Sequence, residues 1–131
     1  MSLLENPEAE IDERAIFNSL KLPEDPAKRA DAINRLKRLV RGGPPKVRRA
    51  AARALGQSSD LDLVPTLIFA LTDPDKPASR EARNALRFVS RKFNGFGLSD
   101  DPTPKELKQA VDQWKAWYLR VNPSYVFLDD L

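Results

Sequence analysis

Apolar residues along this chain recur at spacings of three and four in six runs, and sustained period-two alternation is missing. Spacing of three and four places side chains on one face of a helix. The pattern therefore predicts helices over about 5–22, 26–41, 45–57, 63–72, 78–93 and 104–121. The apolar face of the first holds Ile11, Ala15, Ile16, Phe17 and Leu20, and that of the second Ala30, Ile33, Leu36, Leu39 and Val40. The third presents Val47, Ala51, Ala54 and Leu55. The fourth presents Leu63, Val64, Leu67, Ile68 and Leu71, with Phe69 toward a neighbouring helix. Ala82, Ala85, Leu86, Val89 and Phe93 are the core candidates of the fifth. Those of the last are Leu107, Ala110, Val111, Trp114, Trp117, Tyr118 and Val121.

Proline and glycine mark the boundaries. Asn6-Pro7, Asp25-Pro26 and Thr103-Pro104 each supply a polar N-cap followed by proline at the first helical position. Glu8 and Glu10 add negative charge to the first turn of the first helix. Thr103 with Glu106 three residues on completes a capping box. Gly42-Gly43-Pro44-Pro45, Asp73-Pro74-Asp75-Lys76-Pro77 and Asn94-Gly95-Phe96-Gly97 separate helices, since proline lacks an N–H and glycine tolerates positive φ. The tail after Asn122-Pro123 carries Tyr125, Val126, Phe127 and Leu128, and so much apolar surface predicts packing along the protein.

The chain also repeats itself. A shift of 31 residues sets Ile33 on Val64, Leu36 on Leu67, Leu39 on Ala70 and Val40 on Leu71. The same shift sets Val47 on Ala78, Arg49 on Arg80, Ala51 on Ala82, Ala54 on Ala85 and Leu55 on Leu86. Five of these nine pairs are identical, and the other four exchange one apolar residue for another. Two helices per unit at such a period predict an all-α solenoid. The segment from Val47 to Gly56 resembles the second helix of a HEAT repeat, of the short bacterial type also called PBS-lyase HEAT-like. Leu63 to Leu71, followed by Asp73, resembles the first helix and turn of the next. The second copy departs from the pattern at Ala78-Ser79, where Val-Arg is usual, and at Phe88. The resemblance implies a right-handed superhelix of antiparallel helix pairs used mostly for protein–protein contact. Bilin lyases share the repeat, which is not itself a catalytic motif, so the resemblance implies no lyase activity.

The expected organisation is one domain over 1–131. A capping helix occupies 5–25, two repeats occupy 26–93, and a loop, a second capping helix and the tail fill 94–131. The chain holds no Cys and no His, which removes thiolate metal sites and the commonest general base together. No nucleophile–base pair, P-loop or dinucleotide fingerprint is present, so neither catalytic residue, cofactor nor metal is expected. Asp100-Asp101 after Gly95-Phe96-Gly97 lacks calcium-loop spacing and reads as loop solvation. No apolar run reaches membrane-span length. With no targeting signal in view the cytoplasm is the default compartment, although Met1-Ser2-Leu3 also reads as an expression leader on a trimmed chain.

Charge adds one candidate surface. Residues 28–53 hold ten Lys or Arg and one acid, while 1–27 carry −5 and 54–131 carry −1. Within this patch Lys46, Arg49 and Arg53 share one side of a helix, and Arg35, Arg38 and Arg41 line another. The outward polar positions of the two second helices make Arg49, Arg53, Arg80, Asn84 and Arg87 the expected partner contacts, with Trp117 as a half-exposed aromatic anchor. The expected function is a non-catalytic scaffold whose partner is another protein. The alternative is nucleic-acid binding through the basic patch, as in HEAT-like alkylpurine DNA glycosylases, whose motif this chain lacks.

Overall fold

The computed structural model describes residues 9–128, with side chains from residue 14 onward. Six α-helices occupy the described residues: α1 (Ala9–Ser19), α2 (Pro26–Gly42), α3 (Pro45–Leu55), α4 (Val64–Leu71), α5 (Lys76–Ser90) and α6 (Pro104–Val121). A 3₁₀ turn, Leu61–Leu63, leads into α4, and no strand occurs among these residues. Proline at N1 or N2 opens five of the six helices, α2 to α6, where the missing N–H costs nothing. Asp25, Asp75 and Thr103 cap α2, α5 and α6 by accepting from Lys28 N, Ala78 N and Glu106 N. Glu106 reaches back to Thr103 N at 2.9 Å, completing the capping box expected from the sequence.

The helices form two layers. α3 packs broadly on α5 and also on α1, making one layer; α4 packs on α6 and only slightly on α2, making the other. The pairs α2–α3 and α4–α5 tie the layers together. Alanine explains the difference between layers: Ala50, Ala51, Ala52 and Ala54 of α3 and Ala82 and Ala85 of α5 are all buried and let backbones approach closely. At Gly56, just past α3, an added Cβ would stand 3.0 Å from the Cβ of Ala85. The stack thus closes up along α1–α3–α5 and splays between α2 and α4. The core between the layers is Leu36, Leu55, Leu63, Val64, Leu67, Ile68, Leu71 and Leu86, with Trp114 closing the α6 end. This is an all-α solenoid, and the 31-residue register carries Pro45 of α3 onto Lys76, the first residue of α5.

Several expected positions moved. Lys76 and Pro77, read as turn, are the first two residues of α5, because Asp75 is the cap and Pro77 is tolerated at N2. α5 stops at Ser90, where Arg91 takes a left-handed conformation (φ 62°) and its N–H donates to Phe88 O. Phe93 is therefore swung out and 59% exposed, and Phe96 packs in its stead, edge-on to Trp114 at 4.9 Å. Ala30 is exposed rather than buried: at 100° per residue it lies about a quarter turn from the face that carries Leu36 and Val40. Ala15 and Val121 are exposed too, each on a terminal helix whose outer side meets no neighbouring helix. Leu39 and Val47 are half-buried, and Trp117 likewise. In the tail Phe127 is buried and Tyr125 half-buried, while Val126 and Leu128 alternate outward. The features read at Asn6-Pro7, Glu8, Glu10 and Ile11 lie outside the described side chains.

Candidate interaction surface

The closed layer presents a polar groove of about 430 Å³ between α3 and α5, lined by Arg53, Gln57, Glu81, Asn84 and Phe88 over a floor of Gly56 and Ala85. Helical spacing explains the lining: Arg53 and Gln57 are four apart on α3 and its extension, and Glu81, Asn84 and Phe88 are three and four apart along α5. The two small floor residues make the groove possible. Phe88 stands 65% exposed at its rim, edge-on to Phe93 with ring centroids 6.1 Å apart. The sequence marked Phe88 only as a departure from the repeat pattern; in the 31-residue register it falls on Gln57, an exposed position.

The six residues expected to meet a partner occupy different environments. Arg53 is exposed, and its guanidinium lies over the Phe17 ring of α1 at 4.6 Å, joining α1 to the groove edge. Asn84 is exposed on α5 and its Oδ1 accepts from Arg83 Nε and Nη2 at 3.2 and 3.0 Å. Arg49 grips Asp75 through two bonds, Nε at 2.7 Å and Nη2 at 2.8 Å. Next to it, Arg48 holds Asp73 at 2.8 and 3.1 Å and donates to Gly43 O at 2.8 Å. Both pairs run from α3 to the turn before α5, so they clasp one helix pair to the next. The Arg49 hydrogen bonds hold the Asp75 carboxyl below the usual aspartate range, and the Asp73 carboxylate raises the Arg48 pKa.

Arg80 and Arg87 turn toward the chain's own loop. Arg80 Nε donates to Asp100 O at 2.8 Å and Arg87 Nη2 to Leu98 O at 3.0 Å. Arg83 lies between them, nine-tenths buried, with its Nη1 2.6 Å from Asp100 Oδ1. Spaced by three and four, these arginines form a stripe that fastens residues 98–100 across the outer face of α5. Burial, with Arg83 close by, lowers the Arg87 pKa. Lys76 pairs with Asp101 at 2.9 Å. Arg83 and Lys76 hydrogen bonds hold the Asp100 and Asp101 carboxyls below their ordinary range. Trp117, the sixth residue, is half-buried and packs edge-on to Trp114 at 5.7 Å.

The basic run of 28–53 is dispersed by the fold. Arg48 and Arg49 serve the clasp, Arg29 donates to Pro23 O at 3.3 Å, and Arg41 lies over Phe69 at 4.3 Å. Lys28, Arg35 and Arg38 remain exposed on α2, whereas Arg53 belongs to the opposite layer. Among the described residues no three acids stand close enough to hold a metal ion, and no helix is long and apolar enough to cross a membrane. A family model described as HEAT repeats matches residues 32–113, from within α2 to within α6. No curated protein and no solved structure matches the chain.

Proposed function

Because the chain belongs to the HEAT repeat family, we propose that it is a non-catalytic scaffold that binds another protein through the α3–α5 groove. HEAT repeats are generally protein-interaction scaffolds, and the family is typically non-catalytic. The observation that carries the reading for this chain is the groove itself: a polar trough with Phe88 standing exposed at its rim. An exposed aromatic ring beside polar groups is the composition of an interface anchor, since its burial adds apolar area at little entropic cost. The contact residues are Arg53, Asn84 and Phe88, with Gln57 and Glu81 at the walls. Arg49, Arg80 and Arg87 act one step back. They hold the turn and the loop that fix α5, so their replacement weakens binding through the fold rather than through lost contact. Trp117 belongs with Trp114 in the end packing.

The scaffold reading is favoured over nucleic-acid binding because the basic residues of 28–53 are divided between two layers and two of them, Arg48 and Arg49, are committed to ion pairs. The test is affinity capture with the wild-type chain, with Phe88→Asp and with Asn84→Arg. Phe88→Asp sits on an exposed position and is expected to leave the fold intact; Asn84→Arg also withdraws an acceptor from Arg83, so circular dichroism and the thermal midpoint check that it stays folded. Proteins retained by the wild type and lost with both variants support the groove. An identical set of captured proteins across all three sinks it.

A further inference from the structure

On the outer face of α5, away from the trough, lies a separate hollow of about 210 Å³. It sits between the α4–α5 turn, α5 and the loop that leads to α6, and its apolar walls are Pro74, Leu98, Pro102, Pro104 and Leu107. The prolines among them bring no N–H to the wall. Ser79, also on the lining, already donates its hydroxyl to Leu71 O at 2.7 Å. The interior is therefore apolar, and its volume exceeds the cavity of about 150 Å³ that holds benzene. A single ring with a short chain fits such a space; a run of residues does not.

The mouth of the hollow carries an excess of positive charge. The loop brings two carboxylates, Asp100 and Asp101, to four cations, Lys76, Arg80, Arg83 and Arg87. Arg83 pairs with Asp100 at 2.6 Å and Lys76 with Asp101 at 2.9 Å. The third acid on the lining, Asp73, is held through two bonds by Arg48. Glu81, next to Arg80 in sequence, lines the trough instead. Arg80 is exposed and lines the hollow, yet its Nε donates to a neutral acceptor, Asp100 O, at 2.8 Å. A guanidinium carries five N–H donors, and that bond uses one. Among the described residues Arg80 is thus the lining cation with no carboxylate of its own within ion-pair reach.

We infer that this hollow binds a small monocarboxylic acid with a compact apolar body, the body filling the proline-walled interior and the carboxylate lying on the Arg80 guanidinium. One unmatched cation at an apolar mouth suits one negative charge. A phosphate monoester brings nearly two charges and needs several donors, which these walls do not supply. The hollow shares no lining residue with the α3–α5 trough, so either site can fail without the other.

The experiment is amide NMR of the full chain at neutral pH during titration with 3-phenylpropionate. Its neutral counterpart 3-phenylpropanol and acetate, which lacks the apolar body, are the matched probes. 3-Phenylpropionate is expected to shift the amides of Ser79, Ser99 and Leu107, with a Kd on the order of millimolar or below. The alcohol binds at least about tenfold more weakly, because it forfeits the charged hydrogen bond, and acetate leaves these amides in place at equal concentration. Arg80→Gln keeps a donor for Asp100 O and weakens 3-phenylpropionate by about tenfold or more. Leu107→Trp fills the hollow and abolishes binding, and reports independently should Arg80→Gln loosen the loop. Phe88→Asp leaves the titration unchanged. Absence of shifts with 3-phenylpropionate overturns the inference. So does equal affinity for acid and alcohol, for 3-phenylpropionate and acetate, or for the wild type and both hollow variants. Shifts confined to Gln57 and Asn84, or loss of binding with Phe88→Asp, would place the acid in the trough and equally overturn it.

Discussion

At Gly95 the backbone holds φ at +57°, and an added Cβ would stand 3.0 Å from Arg87 Nε and 3.6 Å from Trp114 Cζ2. A side chain there meets two costs: the left-handed conformation, about 1 kcal/mol or more, and displacement of Arg87 from the loop it fastens. Gly95→Ala is expected to lower stability by about 1–3 kcal/mol, read as a fall in the urea midpoint at unchanged slope. Gly42 is the control, because an added Cβ there meets nothing within 4 Å and the position ends a helix. Gly42→Ala is neutral or stabilising by a few tenths of a kcal/mol. Equal losses at both sites would contradict the close-approach account. The sequence marks Asn94 to Gly97 as a helix break, but not which phenylalanine turns inward. That choice depends on Arg91 adopting φ 62°, a conformation rare for residues other than glycine and announced by nothing in its neighbours.

Between elements, the clasp from α3 to the α4–α5 turn does more than either charge pair on a free surface would. Arg49 and Asp75 are side by side with side chains 24% and 16% exposed, and Asp75 also caps α5. Asparagine caps as well as aspartate, so Asp75→Asn isolates the charge. The variant is expected to lose about 1–2 kcal/mol at pH 7. The folded-state pKa of Asp75 is depressed, so its contribution is fully present above the unfolded value of about 3.9. It is lost as pH falls through the lower folded value. The gap between wild type and Asp75→Asn should therefore shrink as pH falls below about 4, and a gap independent of pH would sink this assignment. Thr103→Ala removes the capping box of α6 and should cost about 1 kcal/mol, with no change in the pH dependence from Asp75. Helices and caps were legible because proline, Asp and Thr act locally. The arginine stripe was not. Arg80 and Arg87 read as a ligand face from spacing alone, and only the return of residues 98–100 across α5 shows what they bind.

Over the whole molecule, the repeat made the stack of two helix pairs legible, because identical apolar positions 31 residues apart must bury against equivalent neighbours. The end helices were expected from the sequence as caps, and the fold shows what each packs on: α1 extends the closed layer beside α3 and α6 the splayed one beside α4. Trp114 anchors the α6 end, buried at 1% exposure among Phe96 and Trp117. Trp114→Ala is expected to cost about 3–5 kcal/mol, a large share of the 5–15 kcal/mol typical of a folded domain, and to lower the thermal midpoint sharply. The difference in packing between layers also shapes the surface, leaving a polar trough where alanines close the stack. The central claim is that the trough meets a partner protein. Its most direct measurement is site-specific photocrosslinking, with a photoreactive side chain in place of Phe88 or Asn84 and, as control, of Lys108, an exposed position on α6, outside the trough lining. The account predicts discrete protein adducts from positions 88 and 84 and none from 108. Adducts of equal yield at all three positions, or none at 88 and 84, would contradict it.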